Sequence, residues 1–268
     1  MRIRQTVEGG LRVIAVTLAT AAVVVGGSVA SAAPHAAPHA APHATALTKT
    51  HATTLAKAIN FRASDFPGYT VHPAKSSSSD DAAGKQYAAC VGTAPSFMNV
   101  SSAAFTNSSG YGFSSVTEFV ASRALADRDA HRAASAPARK CLKDQLTAAA
   151  TSAGASSFEV TSESIPVDPV AGLDTIYGAK FTVTFSIFGQ IGHLYGYDIG
   201  FVRGNAEVSL AEIGTADVPQ SVTNAPLAKF VARAKRYVPS NGCYVTVKVQ
   251  VTGSATPGSV ASTVPVPV

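Results

Sequence analysis

Strict alternation of apolar and polar residues through the second half of the chain most constrains its fold. In residues 181–187 every odd position is apolar and every even position is Thr or Ser. A period of two places the apolar residues on one side of a strand. Residues 195–201 and 206–210 continue the alternation, and the glycine-containing segments 189–192 and 203–205 can turn the chain. Three strands joined by tight turns predict an antiparallel meander.

Helical periodicity flanks this meander. In residues 225–238 apolar side chains recur at i, i+3, i+4 and i+7, whereas Lys229, Arg233 and Arg236 take the other side. We expect this amphipathic helix to lie across the sheet. Helical segments also precede the meander, and the Ser-, Asp- and Gly-rich residues 75–85 are predicted to form a loop. The order predicts an α+β fold, with an antiparallel sheet of about five to six strands and helices packed on one face.

The N-terminus has the composition of an export signal. Three arginines precede an apolar run at 13–25, and Ala30-Ser31-Ala32 closes it. This order is typical of a secretory signal peptide, here residues 1–32, cleaved after Ala32. We therefore expect a secreted protein, extracellular or associated with the cell wall. No cysteine adjoins the cleavage site to carry a lipid, and no later apolar segment approaches the length of a membrane span, so no stable membrane anchor is predicted.

The remaining chain divides into three parts by composition. Residues 33–56 form a leader in which Ala-Pro-His recurs with a period of four, and prolines at this spacing predict a disordered segment. Residues 57–240 are predicted to be a single domain, and residues 241–268 a partly disordered C-terminal extension. The leader histidines either bind a transition metal weakly or are incidental to a low-complexity tail. These histidines are His35, His39, His43 and His51.

The charge is small for a chain of this size. There are 21 Lys and Arg against 16 Asp and Glu, a net charge of +5, and residues 1–32 contribute three Arg and one Glu. The mature chain is therefore near +3, and its charges are scattered. This distribution indicates a solvated surface, and we expect no nucleic-acid partner.

The chain has three cysteines, Cys90, Cys141 and Cys243. Two of three should pair in an exported protein. Cys90 and Cys141 each lie within a candidate helical turn, and we favour a disulfide between them. Cys243 lies beyond the last predicted long helix and is then either free or bonded to another molecule.

Motifs that would identify an enzyme are missing from the sequence. It has no Gly-x-Ser-x-Gly, no His-Glu-x-x-His, no Cys-x-x-Cys and no phosphate-binding glycine-rich loop. We therefore predict no catalytic residue, no metal site and no cofactor. A row formed by His193, Tyr195 and Tyr197, next to Asp198, is a tentative ligand cleft. The alternative is an ordinary sheet face whose hydroxyl groups reach water.

Several short motifs occur in an order found in a known group of proteins. They are Asp65-Phe66-Pro67-Gly68-Tyr69, Cys90-Val91-Gly92, the strand at 115–119, Arg139-Lys140-Cys141-Leu142, the meander segment Asp198–Arg203 and the Ala- and Arg-rich terminal helix. Over roughly residues 57–238 the chain resembles actinobacterial exported proteins that include the extracellular sensor domain of mycobacterial membrane serine/threonine kinases and related lipoproteins. The resemblance implies an α+β fold and a sensing role outside the cell, without catalytic residues. The kinase sensors carry two disulfides, whereas this chain has one matching pair and Cys243.

These observations lead to a first hypothesis and two alternatives. The first is a secreted, non-catalytic ligand-binding or sensor-like domain that holds a small apolar or amphiphilic ligand, or a cell-envelope component, between the sheet and the terminal helix. Another protein would then receive the signal. The alternatives are a secreted hydrolase of unrecognised type built around His193, and a cell-wall-associated structural protein, which the Pro-, Thr-, Ser- and Val-rich C-terminus suggests.

Overall fold

A computed structural model describes residues 47–74, 78–94, 96–152, 157–187, 190–217, 220–241, 244–248 and 263–267. The predicted signal peptide, most of the leader with its three repeated histidines, and Cys243 lie outside the described residues. Across the described ranges, no helix combines the length and apolar character needed to cross a bilayer.

Eight strands form one antiparallel sheet. They are β1 (Thr70–His72), β2 (Met98–Ser101), β3 (Ala104–Thr106), β4 (Tyr111–Phe119), β5 (Ser157–Ile165), β6 (Thr175–Ile187), β7 (Gln190–Arg203) and β8 (Ala206–Gly214). The order across the sheet is β1-β3-β4-β8-β7-β6-β5, and β2 also pairs with β4. The predicted meander is therefore confirmed as β6, β7 and β8. A separate antiparallel pair joins β9 (Tyr244–Lys248) to β10 (Thr263–Pro267).

Five helices accompany the sheet in the described part of the chain. They are α1 (Lys49–Ile59), α2 (Ser78–Val91), α3 (Arg123–Ala133), α4 (Ala136–Ser152) and α5 (Gln220–Tyr237), with a 3-10 turn at Ala63–Asp65. The predicted α+β class is confirmed. The strand count is higher than the expected five to six, because the short strands β1, β2 and β3 carry too few residues for a period to be recognised.

The helices pack on both faces of the sheet, whereas the sequence predicted one. On the first face, called the α1/α5 face, Phe119 and Phe201 join Phe230 of α5 in an apolar cluster that includes α1. On the second, called the α3/α4 face, Phe181 and Leu146 belong to a cluster with α4, and further apolar contacts reach α3. The alternation correctly separated the two sides of each strand. In β7 the apolar row faces α1 and α5, whereas in β6 the apolar row, which includes Phe181, faces α3 and α4, so helices cover both faces of the sheet.

Two helices differ from their predicted extents. Residues 78–91 form α2 although Ser, Asp and Gly predicted a loop over 75–85, since tertiary packing overrides weak local propensity. Helix α5 begins at Gln220 and contains Pro226, which the sequence placed near the first turn. Arg233 of α5 was expected on the solvent side, but it forms an ion pair of 2.6 Å with Asp65, and both side chains are largely buried. The predicted packing of this helix across the sheet is confirmed.

Aromatic rings cover glycines along the pairing of β6 with β7. Phe185, Phe181 and Tyr177 pair with Gly192, Gly196 and Gly200, respectively. A Cβ atom added at any of these glycines would lie within 3.0 Å of the partner ring. The rings therefore lie flat over the β7 backbone on the α3/α4 face, and this contact fixes where the hydroxyl group of Tyr177 sits.

Candidate functional site

The predicted cleft residues are divided between the two sides of the sheet. His193, Tyr195 and Tyr197 occupy odd positions of β7 and share the α1/α5 face, as Ile199 does. Asp198 occupies an even position and points to the α3/α4 face, because successive side chains of a strand alternate. The sheet therefore separates Asp198 from His193, and the two cannot act together in one cleft.

The row on the α1/α5 face lies at an end of the sheet that remains open. His193 is exposed and is hydrogen-bonded to Thr184 at 3.1 Å. Its ring lies 6.4 Å from that of Tyr195, centroid to centroid. The hydroxyl group of Tyr197 donates a 2.7 Å hydrogen bond to Asp217, which also accepts one of 2.8 Å from Lys180. These contacts describe a polar surface whose groups already have partners.

Asp198 lies instead in a group of polar side chains beneath the helices of the α3/α4 face. Tyr177 of β6 is half-buried. Burial raises the pKa of its hydroxyl group, and the nearby charges of Asp198, of Tyr87 from α2 and of Glu207 raise it further. We call the group formed by Tyr87, Tyr177, Asp198 and Glu207 the acidic recess. Each of the four side chains keeps some exposed surface although burial dominates its pKa. The acidic recess is therefore partly exposed and is not enclosed in the core.

Burial sets the protonation of the recess. It raises the pKa of Asp198 to about 7, with no offsetting contribution from the described residues. Burial also raises the pKa of Glu207 to about 8, with the Asp129 carboxylate adding to the rise and Arg128 opposing it. One carboxyl oxygen of Glu207, Oε1, is buried without a hydrogen-bond partner in the described structure. The two carboxyls thus change charge near neutral pH.

The acids bordering the recess are better satisfied than those inside it. Asp129 of α3 is fully buried, accepts a 2.7 Å hydrogen bond from the backbone N–H of Ala94 and lies 3.2 Å from Arg128. Glu118 of β4 accepts one of 2.7 Å from Asn99, while burial and the nearby Glu207 hold its pKa well above the usual range. These contacts hold Asp129 and Glu118 in place, whereas Oε1 of Glu207 has no hydrogen-bond partner in the described structure.

The predicted disulfide lies between the helices of this side. Cys90 of α2 and Cys141 of α4 are at disulfide distance, with 6.0 Å between their Cα atoms. Tyr87 is one helical turn before Cys90 and packs against the apolar cluster of α4. The cross-link therefore holds Tyr87 over the sheet.

A further buried carboxyl, Glu212, occupies the opposite α1/α5 face. Its side chain is fully buried, and its Oε2 atom accepts a 2.5 Å hydrogen bond from Thr223 of α5. Burial raises its pKa to about 7. Glu212 pairs with Tyr197 across β7 and β8, so it lies beside Tyr197 on the α1/α5 face, on the opposite side of the sheet from the acidic recess.

The sequence pattern singled out Asp198 but not its three neighbours in the acidic recess. Tyr177 and Glu207 carried a usable signal, because the predicted turns set the antiparallel register that brings their strands beside Asp198. Tyr87 carried none, because it lies on a helix that the sequence did not predict in full. Within the described ranges, His, Cys, Asp and Glu side chains form no cluster of three or more suited to a metal ion.

Comparisons with protein-family models, curated proteins and solved structures give no match to this chain.

Proposed function

We propose that the protein is an exported, non-catalytic binding module that holds a small ligand in the acidic recess. Export is inferred from residues 1–32. The observation that carries the proposal is the convergence of Tyr87, Tyr177, Asp198 and Glu207 from four separate elements, beneath helices, with Oε1 of Glu207 left without a hydrogen-bond partner in the described structure. Such groups are characteristic of binding sites, where a few polar side chains orient a ligand against an otherwise apolar wall.

The energetics of burial support this choice. A buried polar group left without a partner costs about 1–3 kcal/mol of folding free energy. An apolar side chain at Glu207 would avoid that cost, and the surroundings include apolar residues such as Val202 and Ala126. Sites that depart from good packing in this way are expected to be functional, since a ligand then supplies the missing partners.

Aromatic side chains fill the space between the sheet and α5, where the sequence analysis expected the ligand. Between the sheet and α5, the ring of Phe230 lies 4.8 Å from that of Phe61 and 5.5 Å from that of Phe201. Phe66 stacks on Phe105 and Phe113 in the same cluster, at 4.8 and 5.0 Å. We therefore place the ligand on the α3/α4 face and expect it to be polar. A soluble fragment of the cell envelope fits this description.

A sensor-like role extends the proposal. The helices over the recess, α2 and α4, are joined by the disulfide, so a ligand that contacts Tyr87 would shift or steady them as one unit. Another protein would then receive the signal, as the resemblance to the kinase sensor domains implies. A ligand can bias such an equilibrium only through a difference in its affinity for the two arrangements.

Native mass spectrometry of the protein purified from its own culture medium tests the proposal. We expect an added mass on the wild-type protein that is lost in the Asp198→Asn variant. Glu212→Gln is the matched control, because it neutralises a buried carboxyl of similar pKa on the opposite face. A ligand-free mass in repeated preparations, together with no thermal stabilisation by any compound of a metabolite library, would refute the binding function.

A further inference from the structure

We propose that the first turns of α5, residues 220–226, form a latch that closes over Glu212 below neutral pH and opens above it. The latch lies on the α1/α5 face, opposite the acidic recess, so it does not depend on the ligand proposed there. Three observations lead to it: the position of Glu212 between strand and helix, the bonding of its two carboxyl oxygens, and the place of Pro226 in α5.

Glu212 occupies a closed contact between β8 and the start of α5. Its cross-strand partners on β4 and β7 are Phe113 and Tyr197. Thr223 of α5 approaches the carboxyl group from the helix side. The exposed fraction is 0% for Glu212 and 6% for Thr223, so the contact excludes solvent.

The contact provides a hydrogen bond to one carboxyl oxygen and none to the other. Oε2 accepts a 2.5 Å hydrogen bond from the Thr223 hydroxyl group, whereas Oε1 is buried without a hydrogen-bond partner in the described structure. A neutral carboxyl group tolerates this arrangement better than a carboxylate, which needs several donors or a counter-ion when it is buried. The closed contact therefore favours the protonated form of Glu212.

The charges around the contact are paired with one another or point away from it. The titratable and charged side chains that the neighbouring strands and α5 place on this side of the sheet are Tyr111 of β4, Lys180 of β6, His193, Tyr195 and Tyr197 of β7, Asp217 after β8, and Arg233 of α5. Lys180 lies 2.8 Å from Asp217, and Arg233 lies 2.6 Å from Asp65. The buried side of α1 is apolar. Burial accordingly raises the pKa of Glu212 to about 7, and the hydrogen bond from Thr223 opposes the rise.

Pro226 allows the first turns to move apart from the rest of α5. Proline has no N–H, so the helix lacks the hydrogen bond that would join residue 226 to the carbonyl group of residue 222. Beyond this position, Phe230 is fully buried and anchors the helix against Phe61 and Phe201. The turns before Pro226 can therefore open while the remainder stays docked. Opening would expose Glu212 beside Tyr197 and enlarge the open polar surface of β7.

The sign and size of the pH effect follow from two protonation equilibria. In the closed form the pKa of Glu212 is about 7, and in the open form, where water reaches the carboxyl group, the pKa returns to its ordinary value of 4.5. Closure is therefore most favourable below about pH 4.5, and each pH unit from there to 7 multiplies the open-to-closed ratio by about ten. Above pH 7 the ratio levels off. Between pH 5.5 and pH 8 it should rise about 25-fold.

Hydrogen–deuterium exchange of the full mature chain at pH 5.5 and pH 8, corrected for intrinsic exchange rates, tests the proposal. We expect the protection of the amides at 224, 225 and 227 to fall about 25-fold at the higher pH. Glu212→Gln keeps the size of the side chain without the charge, so the protection should no longer depend on pH. Asp198→Asn is the matched control, because it removes a carboxyl group of similar pKa on the opposite face and should respond as the wild type does.

A second variant measures the role of the hydrogen bond. Thr223→Val keeps the shape of the side chain but removes the bond that lowers the pKa of Glu212, so the loss of protection should level off at a higher pH. Equal protection of the wild type at the two pH values, or an unchanged loss in Glu212→Gln, would overturn the proposal. A loss that Asp198→Asn also diminishes would show exchange through global unfolding and would equally overturn a local latch. If Glu212→Gln does not fold, an unchanged pH profile of Thr223→Val decides against the proposal.

Discussion

The glycine–aromatic pairing of β6 with β7 makes a quantitative prediction about stability. A methyl group at Gly196 would overlap the ring of Phe181. Phe181 is 2% exposed and packs with Leu146 and Leu194, so it has no free space into which to move. Gly196→Ala should therefore destabilise the protein, although alanine is normally the better residue in a regular element.

The magnitude follows from two opposing contributions. Forcing an extra methyl group into a packed core costs about 1–3 kcal/mol. Replacing glycine by alanine reduces the entropy of the unfolded chain and returns about 0.4–1 kcal/mol. Gly112→Ala in β4 is the matched control, because its nearest side-chain atom would lie at 3.5 Å, an ordinary contact. We expect Gly112→Ala to be neutral or slightly stabilising and Gly196→Ala to be less stable by about 1–2 kcal/mol.

A double-mutant cycle identifies the cause of the loss. Phe181→Ala alone should cost about 3–5 kcal/mol, through lost burial and a cavity. In the Gly196→Ala background the same truncation should cost at least 1 kcal/mol less, because it also removes the overlap. Urea unfolding followed by far-ultraviolet circular dichroism provides the free energies, as the chain has no Trp. Additive effects within about 0.5 kcal/mol, or equal stability of the Gly196→Ala and Gly112→Ala variants, would refute the reasoning.

Three other properties can be measured on the same protein. Because the folded-state pKa of Asp198 is raised to about 7, its contribution to stability is complete below about pH 4 and is lost as the pH rises through 7. The unfolding free energy should fall between pH 5 and pH 8.5, and less so in Asp198→Asn. Reducing the disulfide of Cys90 and Cys141, which are 51 residues apart, should remove about 4 kcal/mol, visible as a lower melting temperature. Asp65→Ala should lower the urea-unfolding free energy by about 1.5–3 kcal/mol, because it removes a charged hydrogen-bond partner of the largely buried Arg233.

The sequence predicts the meander well because alternation is a local property. Residues 181–187 and 195–201 reveal their strands without any knowledge of the tertiary structure. The register was also predictable: Tyr177, Phe181 and Phe185 mirror three glycines across the turn between β6 and β7. In the sequence the aromatic residues before the turn and the glycines after it recur with the same spacing of four, which indicates that each aromatic residue pairs with a glycine.

The remaining elements depend on contacts between distant segments. Helix α2 has a composition typical of a loop, and its position is supported by Tyr87 and by the disulfide from Cys90 to Cys141. Strands β1 to β3 are three or four residues long and derive their definition from their neighbours. No periodicity in the sequence could specify such elements, since their stability comes from tertiary packing.

Asp198 shows how a residue can be assigned to the wrong face of a strand. Proximity along the chain grouped Asp198 with Tyr197, although the alternation that identified the strand also requires adjacent residues to point to opposite faces. Taken strictly, that rule pairs Asp198 with the α3/α4 face, where Tyr177 already lies against Gly200. Because Gly200 has no side chain, the Tyr177 ring can lie against its backbone. The ring then places its hydroxyl group between the carboxyls of Asp198 and Glu207. The packing of the sheet and the chemistry of the recess therefore depend on the same glycine.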